Sequence, residues 1–175
     1  MLTKLYPNKY FDKKEDIPVE AYYERGYRGI LFDIDNTLVP HDEPVDRAAF
    51  QFVKRLKELG YGICLISNND EERVRTFADP LQVDYVYKAW KPGKKGYLQG
   101  MERLGTDLDN TLFVGDQIFT DIWGGRRVGM YSILLDPINP REEIQIILKR
   151  IPEKLIKWLY RKKHGLGKKE YDREI

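Results

Sequence analysis

The sequence predicts a doubly wound, Rossmann-like α/β fold, a parallel sheet flanked by helices within a single domain. Short apolar runs rich in β-branched and aromatic residues alternate with stretches of helical periodicity, the order that belongs to parallel sheets covered on both faces. Polar residues gather just past the ends of those runs, where open α/β sheets bind their ligands. At 175 residues and 42% hydrophobic content, the chain has the size and the apolar material for one core.

The first clear strand covers residues 28–32 and leads into Asp33. Residues 45–60 read as an amphipathic helix, with Phe50, Val53, Leu56 and Leu59 at helical spacing and Gly60 as its terminator. A second strand, 62–66, leads into Ser67, and a third spans 83–87. The run 111–114 leads into Gly115 and Asp116, and 130–135 closes the series. Helices are expected over 70–77, 94–105 and 119–128. No internal repeat or low-complexity linker interrupts the pattern. Residues 1–140 are expected to form the main domain, with 1–27 an extension packed on it. Residues 141–175 are expected to add a basic amphipathic helical segment to the same domain.

The longest apolar stretches, Gly29–Phe32 and 63–66, fall far short of the roughly 20 residues that span a bilayer. The first residues lack the apolar core and cleavage site of a secretory signal, so a cytoplasmic location is expected. Cys64 is the one cysteine; it has no disulfide partner within the chain and reads as core packing. His41 and His164 are isolated, without metal-ligand spacing, and read as surface residues.

Net charge is +2, but it is unevenly placed. Residues 144–169 carry nine Lys/Arg and only Glu153 as an acid, a net +8, which leaves 21 basic and 27 acidic residues elsewhere, a net −6. An acidic body with a basic tail suits an anionic partner. Ile144, Ile147, Leu148 and Ile151 are placed to pack on the body. After Pro152, Leu155, Ile156, Trp158, Leu159 and Tyr160 interleave with Lys154, Lys157, Arg161, Lys162 and Lys163, a composition suited to lying on an anionic membrane. Each basic residue near acidic lipid contributes about 1 kcal/mol, so peripheral membrane contact through 144–169 is expected.

The chemistry begins at Asp33-Ile34-Asp35-Asn36-Thr37. Two carboxylates two positions apart on an extended chain point to one side, while Ile34 points toward the core. The first can attack phosphorus and form an aspartyl-phosphate. The second can protonate the leaving alkoxide and then deprotonate the hydrolytic water. Thr37 is placed to orient Asp35. Carboxylates facing a phosphate require a hard cation, and Mg²⁺ is expected, held by Asp33, the backbone carbonyl of Asp35 and Asp116. Asp121 is placed one step outside, holding a metal-bound water or positioning Lys91. Ser67 and Asn68 offer donors to the transferring phosphoryl group, and Lys91 offers positive charge from a loop that Pro92 keeps out of helix. Lys94 and Lys95 compete for that role. An Asp-x-Asp-x-Thr string alone can merely cap a helix or close a turn. Its position after a strand, with a hydroxyl, a lysine and an acidic pair at three other strand ends, favours catalysis.

These residues resemble the haloacid dehalogenase-like (HAD) phosphatases, whose four motifs match Asp33 through Thr37, Ser67, Lys91, and Gly115-Asp116 through Asp121. The wording Phe32 through Val39, Ile66-Ser67-Asn68-Asn69, Ala89-x-Lys91-Pro92 and Gly115-Asp116-Gln117-x-x-Thr120-Asp121 is similar to the YqeG branch, over about residues 26–140. That resemblance implies a phosphatidylglycerophosphate phosphatase. It also implies no inserted cap domain, because the intervals between the first three motifs are short, and hence an open site able to take a head group still in its bilayer. Arg126 departs from the branch, which has asparagine there. Two other functions compete: a phosphatase for a soluble phosphomonoester such as a nucleotide or sugar phosphate, and a non-catalytic protein whose tail binds RNA. The intact motifs argue against the latter, and no nucleic-acid partner is expected.

Overall fold

The computed structural model describes residues 2–139 and 144–164, with side chains for 4–139 and 152–164. Six strands form one all-parallel sheet: β1 (Lys9–Phe11), β2 (Gly29–Phe32), β3 (Gly62–Ile66), β4 (Asp84–Val86), β5 (Thr111–Gly115) and β6 (Tyr131–Leu135). Their spatial order is β1-β6-β5-β2-β3-β4. The helices are α1 (Val19–Glu24), α2 (Arg47–Leu59), α3 (Glu71–Leu81), α4 (Lys95–Leu104), α5 (Trp123–Val128) and α6 (Ile144–Lys163). The doubly wound sheet expected from the sequence is therefore present, enlarged by β1, with α1 between β1 and β2 in the chain.

Alternation along the strands divides the core between the two faces. Ile30, Phe32, Ile63, Leu65, Leu112 and Val114 face a cluster closed by Tyr22 of α1, Phe52, Val53 and Leu56 of α2, and Val74 and Phe77 of α3. Leu31, Cys64, Ile66 and Phe113 face the opposite way, onto Tyr97 and Met101 of α4. A third cluster joins Tyr10 of β1 and Leu134 of β6 to Ile118, Ile122, and Ile156 and Tyr160 of α6. Leu5 and Tyr6 pack beside it.

One apolar face differs from expectation. α2 buries Ala49, Phe52, Val53 and Leu56, while Phe50 is exposed. A strict three-residue spacing walks about 60° around a helix at each step, so the run from Phe50 to Leu59 drifts off the buried side. Gly60 does end α2, with φ +97°. Pro152 lies inside α6 without ending it. The side chains of Ile144, Ile147, Leu148 and Ile151 lie outside the described residues.

Candidate active site

The strand order puts the C-terminal ends of β2 and β5 side by side, with Phe32 in register with Val114. Chain direction diverges at that pair: β3 and β4 extend the sheet beyond β2, and β6 and β1 extend it beyond β5. This is the position at which α/β sheets open a crevice. Asp33 continues β2 and its backbone N–H donates to the carbonyl of Val114, so its side chain starts beside Asp116.

Carboxylate oxygens of Asp33, Asp116 and Asp121 lie within 4.8 Å of one another, and all three residues are buried. Lys91 reaches into this cluster, with Nζ 2.5 Å from Asp33 Oδ1 and 2.8 Å from Asp121 Oδ1. Burial and the neighbouring carboxylates of Asp121 and Asp116 push the Asp33 carboxyl well above the usual range, against the pull of the Lys91 ammonium. Burial by itself would lower the Lys91 ammonium, but Asp121 and Asp33 outweigh it and hold that group above its ordinary value. Three acids facing one lysine leave an excess of negative charge in a dry pocket, and a divalent cation is the natural compensation. The donor set, oxygen-only and carboxylate-rich, suits Mg²⁺.

The segment after β5 is shaped tightly for this purpose. Gly115 packs so closely on Asp121 that an added Cβ would sit 2.7 Å from its side chain. Residues Ile118–Ile122 form a single π-helical turn ahead of α5, an irregularity that recurs at functional sites. Just ahead of it the Gln117 N–H donates to Asp121 Oδ2 at 3.0 Å, fixing the carboxylate whose other oxygen receives Lys91. The hydroxyl of Tyr97 on α4 donates to the carbonyls of Thr120 and Asp121, at 2.9 and 3.1 Å.

Ser67 lies at the end of β3, buried, and its hydroxyl accepts from the Asn69 N–H at 3.1 Å. Asn68 is spent on the loop that carries Lys91. It donates to the Lys91 carbonyl at 3.1 Å and accepts from the Lys91 N–H at 2.7 Å. That loop includes a cis Lys91-Pro92 peptide bond, and Trp90 before it has φ +53°. Lys94 stands at the start of α4 and Lys95 within its first turn, whereas Lys91 alone of the three is buried among the carboxylates.

Two expectations are corrected. Just past Asp35 the chain turns, with Asn36 at φ +63° and Asp35 bridged to Val39. The Asp35 carboxylate accepts from Asn69 Nδ2 at 2.8 Å and Arg73 Nη2 at 3.0 Å, with the Asp42 N–H at 3.2 Å. Thr37 reaches Asp33 and Asp116, at 3.5 and 3.4 Å, rather than Asp35. His41 is less isolated than its sequence context implied, since its Nδ1 lies 3.7 Å from Asp35. Arg126, whose role the sequence left open, donates to Asn8 Oδ1 at 2.9 Å and so ties α5 to the residues before β1.

A family model for haloacid dehalogenase-like hydrolases matches residues 39–129, which include Ser67, Lys91, Asp116 and Asp121. Across 94% of this chain and 97% of its own length, the protein named "Probable phosphatase YqeG" from Bacillus subtilis (strain 168) is 32% identical. The chain belongs to the haloacid dehalogenase-like hydrolases. As a member of the HAD family it is a phosphatase. Phosphatidylglycerophosphate phosphatase 1, chloroplastic/mitochondrial, of Arabidopsis thaliana is 27% identical over 80% of this chain and 44% of its own. Among solved structures, an uncharacterized protein from Listeria monocytogenes serotype 4b shares the fold with TM-score 0.51 and 18% identity, covering 77% of this chain and 99% of that one.

For this HAD hydrolase, the sequence missed the residues that hold the site rather than line it. Arg73 and Asn69 restrain Asp35, Tyr97 props the Asp121 backbone, and Glu153 of α6 reaches the turn after Asp116. Apart from Asn69, which stands in the Ile66-Ser67-Asn68-Asn69 string, none carries a local signature. No helix among the described residues is long and apolar enough to cross a membrane.

Proposed function

We propose that this phosphatase acts through an aspartyl-phosphate on Asp33, with Mg²⁺, and removes the terminal phosphate of phosphatidylglycerophosphate at an anionic membrane surface. The observation that carries the mechanism is the convergence of Asp33, Lys91 and the pair Asp116 and Asp121 from three separate chain segments. Asp33 and Asp116, with the backbone carbonyl of Asp35, would hold the cation. When bound, Mg²⁺ supplies charge neutralisation that lets an anionic phosphate approach an anionic nucleophile.

An Asp33 oxygen attacks phosphorus as the ester P–O bond breaks, and the leaving alkoxide takes a proton from Asp35. Water then attacks the phosphorus of the acyl phosphate and gives its proton to Asp35. Inorganic phosphate leaves and the Asp33 carboxylate is restored. For both proton transfers Asp35 must turn from Arg73 and Asn69 toward phosphorus. Lys91 and Ser67 face the charge that spreads over the phosphoryl oxygens, and Asn68 keeps the Lys91 backbone in place. Asp121 holds the Lys91 ammonium.

Lipid phosphate is favoured by the relative of Arabidopsis thaliana and by α6, which presents Leu155 and Trp158 to solvent beside Lys154 and Lys162. Between β2 and α2, and between β3 and α4, the chain adds only α3 and the short β4, which leaves the crevice open to a head group. We assign the protein a peripheral place on the cytoplasmic membrane face, with residues 1–140 as the catalytic unit and 141–175 as part of the same domain. The test compares phosphatidylglycerophosphate, phosphatidic acid and soluble esters, with and without Mg²⁺, for the parent and Asp33→Asn. Metal-dependent release from phosphatidylglycerophosphate, abolished in a folded Asp33→Asn protein, is the expected result. Preference for soluble esters, with no binding to anionic vesicles, would refute the lipid assignment.

A further inference from the structure

Glu153 is the only acid in the basic stretch 144–169, and it is buried. A carboxylate placed in a protein interior is costly unless it is met by donors. Its Oε1 accepts from the backbone N–H of Ile118 at 2.9 Å and approaches that of Phe119 at 3.4 Å. Those amides open the π-helical turn that begins two residues after Asp116 and contains Asp121. Amides in the first turn of a helix have no partner within the helix, and a carboxylate is their best acceptor. The bond spans 35 positions of sequence and joins α6 to the backbone that aims two of the three clustered carboxylates.

We infer that Glu153 is a positioning residue for the divalent-cation site: by fixing the amides of Ile118 and Phe119, it sets the direction of the Asp116 and Asp121 carboxylates. This rests on the reading of Asp33 and Asp116 as cation ligands. It makes α6 part of the catalytic machinery irrespective of whether that helix touches lipid. Groups that orient metal ligands without touching the ion commonly govern affinity by 10- to 100-fold.

The discriminating pair is Glu153→Asp and Glu153→Gln in the full chain. Asp keeps the charge but withdraws the acceptor by one methylene; Gln keeps an acceptor oxygen in place but loses the charge. Binding of Mn²⁺ to the metal-free protein is measured by electron paramagnetic resonance of the free ion, with Mg²⁺ in competition, and thermal unfolding in EDTA is recorded alongside. Glu153→Asp is expected to weaken Mn²⁺ about tenfold or more, and Glu153→Gln less than Glu153→Asp. Unchanged affinity in both variants, even with lowered thermal stability, overturns the inference and leaves Glu153 a structural cap. A greater loss in Gln than in Asp also overturns it, because charge rather than placement would then be the cause. A parent protein that binds no Mn²⁺ removes the cation reading itself, and the inference with it.

Discussion

Replacing Lys91 by Met keeps the apolar stem up to its fourth atom and deletes the ammonium group from the centre of the acidic cluster. In the structure the ammonium sits 2.5 Å from Asp33 and 2.8 Å from Asp121. At an effective dielectric constant near 20, each contact is worth about 6 kcal/mol of gross attraction, much of it offset by the desolvation of all three groups. Removing one member of a buried ionic set typically costs about 3–5 kcal/mol, because the partners stay buried without compensation. At about 2–4 °C per kcal/mol for a chain of this size, Lys91→Met should lower the melting temperature by roughly 6–20 °C in EDTA. Saturating Mg²⁺ should recover part of that loss, since the ion meets the same carboxylates. Turnover should fall at least about 100-fold, as when a preorganised electrostatic group is removed. Circular dichroism melts with and without Mg²⁺, and phosphate release from p-nitrophenyl phosphate, measure both. A melting temperature within 2 °C of the parent would refute the assignment of Lys91 as the counter-charge of the cluster.

Three further perturbations follow from the geometry. Asp33 is held protonated to a higher pH than usual in the metal-free protein, so protons and Mg²⁺ compete there; apparent Mg²⁺ affinity, measured by calorimetry, should rise as pH rises from 5 to 7.5 and fall as it drops. Burial pushes the Cys64 thiol up to about 12, so iodoacetamide at pH 8 should leave it unmodified by mass spectrometry until denaturant is added. An alanine Cβ at Gly96 would lie 2.6 Å from the Ala89 Cβ and 2.8 Å from its carbonyl oxygen, backbone that has little room to move. Gly96→Ala should therefore destabilise by about 1–3 kcal/mol in urea denaturation and lower turnover by shifting the loop that carries Lys91.

Strands β2, β3, β5 and β6 were legible because each is a nearly continuous apolar run, the pattern forced on a strand buried on both faces, whereas the edge strand β4 shows through Val83, Tyr85, Val86 and Tyr87 around Asp84. Strand β1 was not, since Lys9, Tyr10 and Phe11 are too few to show a period and pair only with residues 133–135. The six-residue α1 escaped for the same reason. At the site, the strand-end rule brought Asp33, Lys91 and Asp116 to one place, but the contacts of Asp35 to Asn69 and Arg73, 34 and 38 positions away, leave no trace in the local pattern. Glu153 was visible only as an acid out of place in a basic stretch; its partners are backbone amides, which every sequence position offers alike.

Strand β1, near the start of the chain, pairs only with β6, which lies more than a hundred positions later, and the two are parallel neighbours. On a ribosome, residues 9–11 have no bed to lie in until 131–135 have emerged. Tyr10 must also wait for Ile156 and Tyr160 before its cluster closes. Sealing of this edge thus comes after the acidic pocket has all its contributing strands, and nascent fragments lacking β6 leave an unpaired edge for chaperones to shield.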